Sequence, residues 1–148
     1  MNRKQLRTIL LVEDSLADAE MAMDALADAH LANPVVHVQD GVECLDYLYS
    51  RGSWAGRESG NPVVVLLDIK MPRLNGLDVL TEMRASDLLK RVPVVILSSS
   101  REESDLAQSW DMGANAYVIK PVDVDQFFEA VRTLGQFWAV FNEAPDEQ

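Results

Sequence analysis

Short apolar runs alternate along this chain with longer segments in which apolar residues recur at helical spacing. The runs, all containing β-branched residues, are 8–12, 35–38, 63–67, 94–97 and 116–119. All but the second run are almost continuously apolar, which is typical of strands buried on both faces of a parallel sheet. The segments with helical spacing are 15–29, 41–49, 75–83, 102–112 and 123–140.

A strand followed by a helix, repeated five times, predicts an α/β fold with an open, doubly wound sheet of five parallel strands. Right-handed crossovers between the strands place helices on both faces of the sheet. The chain has 148 residues, and we expect a single domain over 1–148 with its core at about 6–138. The longest irregular stretch, 51–61, predicts an exposed loop, and the acidic tail 143–148 is expected to fray.

Composition limits the class of protein further. Thirteen Lys and Arg residues against 24 Asp and Glu residues give a net charge of −11, which argues against partners such as nucleic acid or an anionic membrane surface. The single cysteine excludes an internal disulfide and fits a reducing cytosol. No apolar run approaches the roughly 18 residues of a spanning helix, and the start does not resemble a signal peptide. We therefore expect a cytoplasmic protein.

Charged and hydroxyl residues follow four of the predicted strands. Glu13 and Asp14 come after the first strand, Asp68 after the third, Ser98 after the fourth and Lys120 after the fifth. Because ligands of such sheets bind at the carboxyl ends of the strands, these side chains are expected to meet at one edge. Three neighbouring carboxylates repel one another unless a cation neutralises them, and all-oxygen ligands favour Mg²⁺. The simpler interpretation, that each residue only marks a strand end or a helix cap, accounts less well for the whole set.

The same residues carry a resemblance to a known family. The motifs in chain order are Glu13-Asp14, Asp68-Ile69-Lys70-Met71-Pro72, Asn75-Gly76, Ser98 and Lys120-Pro121. In order and spacing they resemble the receiver domain of response regulators, over nearly the whole chain. The resemblance implies a flavodoxin-like fold with strand order 2-1-3-4-5. It also implies a two-component signalling protein that is not a metabolic enzyme and catalyses only its own phosphorylation and slow dephosphorylation.

The resemblance assigns the acidic residues to phosphoryl transfer. Asp68 is then the phosphoacceptor, which takes a phosphoryl group from a phosphohistidine of a sensor histidine kinase. Glu13, Asp14 and Asp68 are expected to bind Mg²⁺ together with the backbone carbonyl of Lys70. The metal would shield Asp68 from the incoming anionic group and stabilise charge on the transferring oxygens.

Three further positions follow from the same resemblance. Lys120 pairs with Asp68 and then with a phosphoryl oxygen, and Ser98 donates its hydroxyl to another. The bond between Lys120 and Pro121 resembles the cis peptide of the family. Tyr117 occupies the position of a switch aromatic that rotates when Ser98 moves inward, although an ordinary strand tyrosine also fits the pattern. The surface affected would be the fourth helix, the fifth strand and the fifth helix.

Several details resemble one subgroup, the stand-alone response regulators paired with phytochrome-type (bacteriophytochrome) sensor histidine kinases. They are the Glu-Asp-Ser start followed by Ala-Asp, Gly41-Val42-Glu43, the long loop before the third strand, 113–117, Lys120-Pro121-Val122 and Phe137-Trp138. We expect no output domain in a chain of this length, so the resemblance implies signalling through protein contacts. Such a chain could be the endpoint of its pathway or an intermediate carrier in a phosphorelay.

Aromatic residues on the last helix predict a homodimer. Phe127, Trp138 and Phe141 add more apolar surface than one helix face readily buries, and Trp110 on the fourth helix is expected to join them. Exposed aromatic patches mark interfaces, and the resemblance to the subgroup, whose members often form homodimers, implies a contact through the fourth helix, the fifth strand and the fifth helix. An extended core within the protein's own fold is the alternative interpretation.

Lys70 departs from the family pattern, in which a smaller polar residue is common two positions after the acceptor. We expect Lys70, with Ser100 across the mouth of the site, to hinder attacking water and lengthen the life of a phosphoryl group. A phosphohydrolase is disfavoured, because such enzymes need a second aspartate where Lys70 stands. An interaction domain that works without phosphorylation stays open as an alternative. His30 and His37 lack Cys or His partners at metal-ligand spacing and are set aside.

Overall fold

The computed structural model describes residues 7–58, 60–99, 102–120 and 123–142. In this part of the chain one parallel sheet is formed by β1 (Ile9–Val12), β2 (Val35–Val38), β3 (Val64–Leu67), β4 (Val94–Ser98) and β5 (Ala116–Ile119). The strands lie in the order β2-β1-β3-β4-β5. The predicted doubly wound sheet and its flavodoxin-like order are therefore confirmed.

Within the same described residues, five α-helices connect and follow the strands. They are α1 (Leu16–Asp28), α2 (Gly41–Tyr49), α3 (Gly76–Ala85), α4 (Glu103–Asp111) and α5 (Val124–Gln136). A π-helical turn, Phe137–Phe141, extends α5. Side-chain oxygens that accept a backbone N–H begin four of these helices, from Ser15, Asp40, Asn75 and Asp123. Such caps satisfy donors that a helix start leaves unpaired, and they explain why the predicted starts lie within a residue or two of the observed ones.

Alternating strand side chains enter two separate cores, one on each face of the sheet. The core beneath α2 and α3 includes Leu10, Val12, Val65 and Leu67. The core beneath α1 and α5 includes Ile9, Leu11, Val64 and Leu66. Strands β1, β3 and β4 are buried throughout, whereas β2 and β5 form the edges and are mostly half-buried. The nearly continuous apolar runs thus mark the central strands, as predicted, although the run at 116–119 forms an edge strand.

The long loop after α2 is mostly exposed, as predicted, and two of its side chains anchor it to Tyr47. Trp54 meets the Tyr47 ring edge-on with ring centroids 5.0 Å apart. The Arg57 guanidinium lies 4.1 Å from the centre of the same ring and donates a hydrogen bond to the Tyr47 carbonyl oxygen at 2.6 Å. Stacking and hydrogen bonding therefore anchor the part of this loop that the structure describes.

The prediction for Phe127 on helix α5 is wrong. Phe127 was expected on an interface, but only 5% of it is exposed, and it packs with Val131 in the core beneath α1 and α5. Four residues further on, Gly135 lies so close to α1 that a Cβ atom would stand 2.5 Å from Leu26 Cδ2. The spacing of Phe127, Val131 and Gly135 places them on one face of the helix. This close approach to α1 buries Phe127.

Several expectations fall outside the described residues. They concern Ser100, the peptide bond between Lys120 and Pro121, Val122 and the tail 143–148. Among the helices that the structure does describe, none is both long enough and apolar enough to cross a bilayer.

Candidate functional site

Acidic and basic side chains meet where β1, β3 and β5 end. Glu13, Asp14 and Asp68 can each place one carboxylate oxygen so that these atoms all lie within 4.8 Å of one another. The Lys120 ammonium lies 2.5 Å from Glu13 Oε1 and 3.5 Å from Asp68 Oδ2. The structure therefore brings together the four charged residues that the sequence predicted at one edge of the sheet.

Backbone packing positions Asp68 rigidly. Its amide N–H donates to the Val12 carbonyl oxygen at 3.1 Å, and its Oδ1 accepts from the Ile69 N–H at 2.8 Å. Helix α3 begins directly against it: a Cβ atom on Gly76 would stand 2.2 Å from the Asp68 carbonyl oxygen. Only glycine allows this approach, and Asn75 caps the helix beside it. The Asn75-Gly76 motif thus shapes the loop after Asp68.

Glu13 is held from three directions. Its Oε2 accepts from the Ser15 N–H at 3.1 Å, while its Oε1 takes a hydrogen bond from Lys120. Its carbonyl oxygen lies 2.7 Å from His37 Nε2 on β2. The sequence analysis set His37 aside because it lacks Cys or His partners at metal-ligand spacing, whereas in the structure its ring contacts a backbone oxygen of the site.

Burial and charge oppose each other at this cluster. Burial raises the pKa of Glu13 from 4.5 to about 7, more than the hydrogen bond and charge of Lys120 lower it, and Asp68 adds repulsion. For Lys120, burial acts to lower the pKa, but the hydrogen bond that its ammonium donates to Glu13 and the charges of Asp68 and Glu13 raise it above its ordinary value of 10.5. The one ammonium of Lys120 therefore lies among the three carboxyl groups of Glu13, Asp14 and Asp68, so the cluster keeps an excess of negative charge. An all-oxygen donor set of this kind suits Mg²⁺.

Asp18 belongs to the same cluster, although the sequence analysis gave it no part in the site. Its Oδ2 lies 3.1 Å from Lys120 Nζ. Its place in the first turn of α1, soon after the acidic end of β1, puts it near this edge of the sheet but does not indicate Lys120 as its partner.

The remaining predicted site residues take different environments. Ser98 is 1% exposed, and its carbonyl oxygen accepts from the Lys120 N–H at 2.7 Å. Tyr117 is half-buried and packs against the core beneath α2 and α3. Lys70 is exposed in the loop after Asp68. The backbone hydrogen bond with Lys120 thus places Ser98 beside the acidic cluster.

The predicted interface residues differ in their exposure. Trp110 on α4 is 53% exposed and Phe141 is 75% exposed, whereas Trp138 packs partly against the core beneath α1 and α5. Phe137 and Val140, which were not among the expected interface residues, are also exposed. Because α4 and α5 pack on opposite faces of the sheet, the exposed aromatics flank the edge strand β5 on its two sides.

Comparison with known proteins identifies the family. A model described as "Response regulator receiver domain" matches residues 9–132. The response regulator Rcp1 of Synechocystis sp. is 32% identical over 132 residues, which cover 89% of this chain and 88% of that protein. The Mn²⁺-bound form of Rcp1 has a TM-score of 0.88 at 31% identity, covering 95% of this chain and 99% of that one.

Two further solved structures are similar over nearly their whole length. The phosphorylated cyanobacterial phytochrome response regulator RcpA has a TM-score of 0.88 at 36% identity, covering 95% of this chain and 99% of that one. The bacteriophytochrome response regulator AtBRR has a TM-score of 0.75 at 53% identity, covering 93% and 99%.

The chain belongs to the response regulator receiver domain family, whose members are signalling proteins that interact with sensor histidine kinases. Within that family it is a homologue of the phytochrome and bacteriophytochrome response regulators. Both the family and the subgroup predicted from the motifs are confirmed.

Proposed function

We propose that this response regulator takes a phosphoryl group from a sensor histidine kinase onto Asp68 in a reaction that depends on Mg²⁺. The observation that carries this proposal is the grouping of Glu13, Asp14 and Asp68 with the Lys120 ammonium at one edge of the sheet. The phosphorylated state of the relative RcpA supports it.

The transfer is a displacement at phosphorus. A carboxylate oxygen of Asp68 attacks the phosphohistidine, an O–P bond forms, the P–N bond breaks, and the electron pair returns to the imidazole of the kinase. Asp68 is pre-oriented, because the Ile69 N–H holds its Oδ1. The Lys120 ammonium and the Ser98 hydroxyl then offset negative charge on the phosphoryl oxygens.

The acidic cluster fits a bound Mg²⁺ ion. Glu13, Asp14 and Asp68 would hold it, with the backbone carbonyl of Lys70 as the fourth protein ligand. When bound, the ion supplies positive charge beside the transferring oxygens. The Mn²⁺-bound form of Rcp1 supports this role for the family's acidic pocket.

Intact-mass measurement with a small-molecule phosphodonor tests the assignment. Wild type should gain one phosphoryl group only when Mg²⁺ is present, and Asp68→Asn should gain none. Asp87→Asn is the matched control, because Asp87 is an exposed aspartate before β4. If neither the donor nor a kinase labels folded wild type, a receiver-like interaction domain that works without phosphorylation is the better assignment.

Phosphorylation is expected to be read out at α4, β5 and α5. Among the side chains of α4 that the structure describes, Ser109 is the fully buried one, while Leu106 and Trp110 are exposed. A helix with so little buried apolar surface is easily displaced. In our proposal Ser98 moves toward the phosphoryl group, Tyr117 turns into the vacated space and α4 shifts.

Partners and location follow from the relatives and the surface. We assign the cognate kinase to the phytochrome type, on the basis of the homologues RcpA and AtBRR. A homodimer through the surface of α4, β5 and α5 would cover Trp110 and Phe141, with Trp138 at its margin. The single cysteine fits a cytoplasmic protein, and the net charge of −11 supports binding to proteins and not to nucleic acid.

A further inference from the structure

The local structure of α1 leaves the Asp18 carboxylate available to a partner that is distant in the sequence. It is the third residue of the helix, where a carboxylate often reaches back to the backbone N–H of the cap residue. Here the Ser15 N–H donates to Glu13 Oε2 at 3.1 Å instead. The Asp18 backbone N–H still donates to the Ser15 hydroxyl oxygen at 3.3 Å. The cap is therefore complete without the Asp18 side chain.

The Asp18 carboxylate, which the helix cap does not use, contacts the buried ammonium of Lys120. Asp18 Oδ2 lies 3.1 Å from the ammonium, nearer than Asp68 Oδ2 at 3.5 Å. Lys120 is 11% exposed and Asp18 is 38% exposed, so this ion pair is only partly screened by water. The three N–H bonds of the ammonium thus face Glu13, Asp18 and Asp68. Of the three, Asp68, the proposed phosphoacceptor, has the longest contact.

We infer that Asp18 is a positioning residue that holds the Lys120 ammonium on the α1 side of the site until Asp68 carries a phosphoryl group. The inference rests on the proposed function. Glu13 and Asp68 belong to the acidic group that suits a cation, whereas Asp18 stands outside it. Asp18 is therefore the carboxylate that competes with the phosphoryl oxygens for the lysine. A phosphoryl group on Asp68 must draw Lys120 away from this pair.

The resting pair is testable without metal or phosphorylation. In ¹H–¹⁵N spectra of lysine ammonium groups, the Lys120 signal, assigned by its loss in Lys120→Arg, should show slow hydrogen exchange. Asp18→Asn should speed that exchange several-fold. Asp24→Asn, which removes an equal charge from an exposed site on the same helix, should leave it unchanged. Equal spectra for the two variants would overturn the inference.

Beryllofluoride, which binds a carboxylate as a phosphoryl group would, tests the competition. With Mg²⁺ present, Asp18→Asn should bind it about twofold to fivefold more tightly than wild type, the range expected from a partly exposed ion pair. Asp18→Glu should restore wild-type affinity and Asp24→Asn should match it. If wild type binds beryllofluoride but Asp18→Asn binds it no better, the inference alone fails. If wild type does not bind it, the proposed function fails and the inference falls with it.

Discussion

His37 and Glu13 are joined across the ends of two neighbouring strands, with the imidazole Nε2 2.7 Å from the Glu13 carbonyl oxygen. A carbonyl oxygen can only accept, so His37 carries the proton on Nε2 and donates it. The bond fixes the backbone of Glu13, whose side chain belongs to the acidic cluster. His37 on the edge strand thereby supports the site without belonging to it.

We predict that His37→Asn weakens Mn²⁺ binding about tenfold, which is the lower end of the effect of losing a residue that orients a metal ligand. Titration followed by electron paramagnetic resonance of free Mn²⁺ measures the affinity directly. His30→Asn is the matched control, because His30 is exposed and its left-handed backbone, φ 54°, tolerates asparagine. Equal affinities for the two variants would contradict a supporting role for His37.

Glu13 should make the stability of the metal-free protein depend on pH. Burial raises its pKa from 4.5 to about 7, so the folded state favours the protonated carboxyl group. This stabilisation is complete below the pKa that Glu13 has in the unfolded chain, and it is lost as the pH rises through the pKa of Glu13 in the folded protein. The total loss is on the order of 3 kcal/mol. Urea unfolding of wild type in a chelator should therefore show a falling free energy of unfolding across that window.

The Glu13→Gln variant isolates this effect, because glutamine cannot ionise. Its free energy of unfolding should change much less with pH than that of wild type, while Glu20→Gln, at an exposed position on α1, should follow wild type. Adding Mg²⁺ above about pH 7 should restore stability to wild type and not to Glu13→Gln, because the ion binds the ionised cluster. Parallel pH profiles for wild type and Glu13→Gln would refute the prediction.

Lys70 should govern how long a phosphoryl group survives. Its side chain is exposed in the loop directly after Asp68, where it can hinder attacking water. Lys70→Asn should therefore speed dephosphorylation several-fold, as measured by the decay of the phosphorylated mass. Lys90→Asn removes the same charge in the loop before β4 and should leave the decay unchanged. An unchanged decay rate in Lys70→Asn would defeat the idea.

The fold and the centre of the site could be predicted because local patterns determine both. Central strands of a parallel sheet are apolar throughout, and their carboxyl ends meet at one edge, so Glu13, Asp14, Asp68 and Lys120 had to lie near one another. The role of Asp18 could not be predicted. Its pair with Lys120 joins positions 102 residues apart in the chain. That contact depends on how α1 sits beside the end of β5, which no local pattern specifies.

The environment of Phe127 shows a second limit. A count of aromatic residues on α5 predicts apolar surface but does not say which aromatic turns inward. The close approach of Gly135 to Leu26 sets the rotation of the helix, and with it the burial of Phe127. Helical phase is determined by contact with α1, and the adjacent Phe127 and Phe128 make the phase ambiguous in the sequence.

The structure sharpens the test of self-association, because Phe141 and Trp138 differ in environment. Phe141 is 75% exposed, whereas Trp138 packs against the core and meets the Phe137 ring at 5.1 Å. Phe141→Ala should weaken a homodimer about tenfold, as expected for an aromatic anchor, with the melting temperature and Asp68 phosphorylation unchanged. Trp138→Ala should weaken the homodimer and also lower the melting temperature, since it removes core contacts.

Sedimentation equilibrium and thermal unfolding of the same samples separate the two effects. Val124→Ala serves as the control, because Val124 is an exposed apolar residue at the other end of α5. If Phe141→Ala dimerises as strongly as Val124→Ala and wild type, the C-terminal aromatics are not the contact. Loss of self-association in Phe141→Ala alone, at an unchanged melting temperature, would place the contact at the exposed end of α5 and exclude a general loss of folding as the cause.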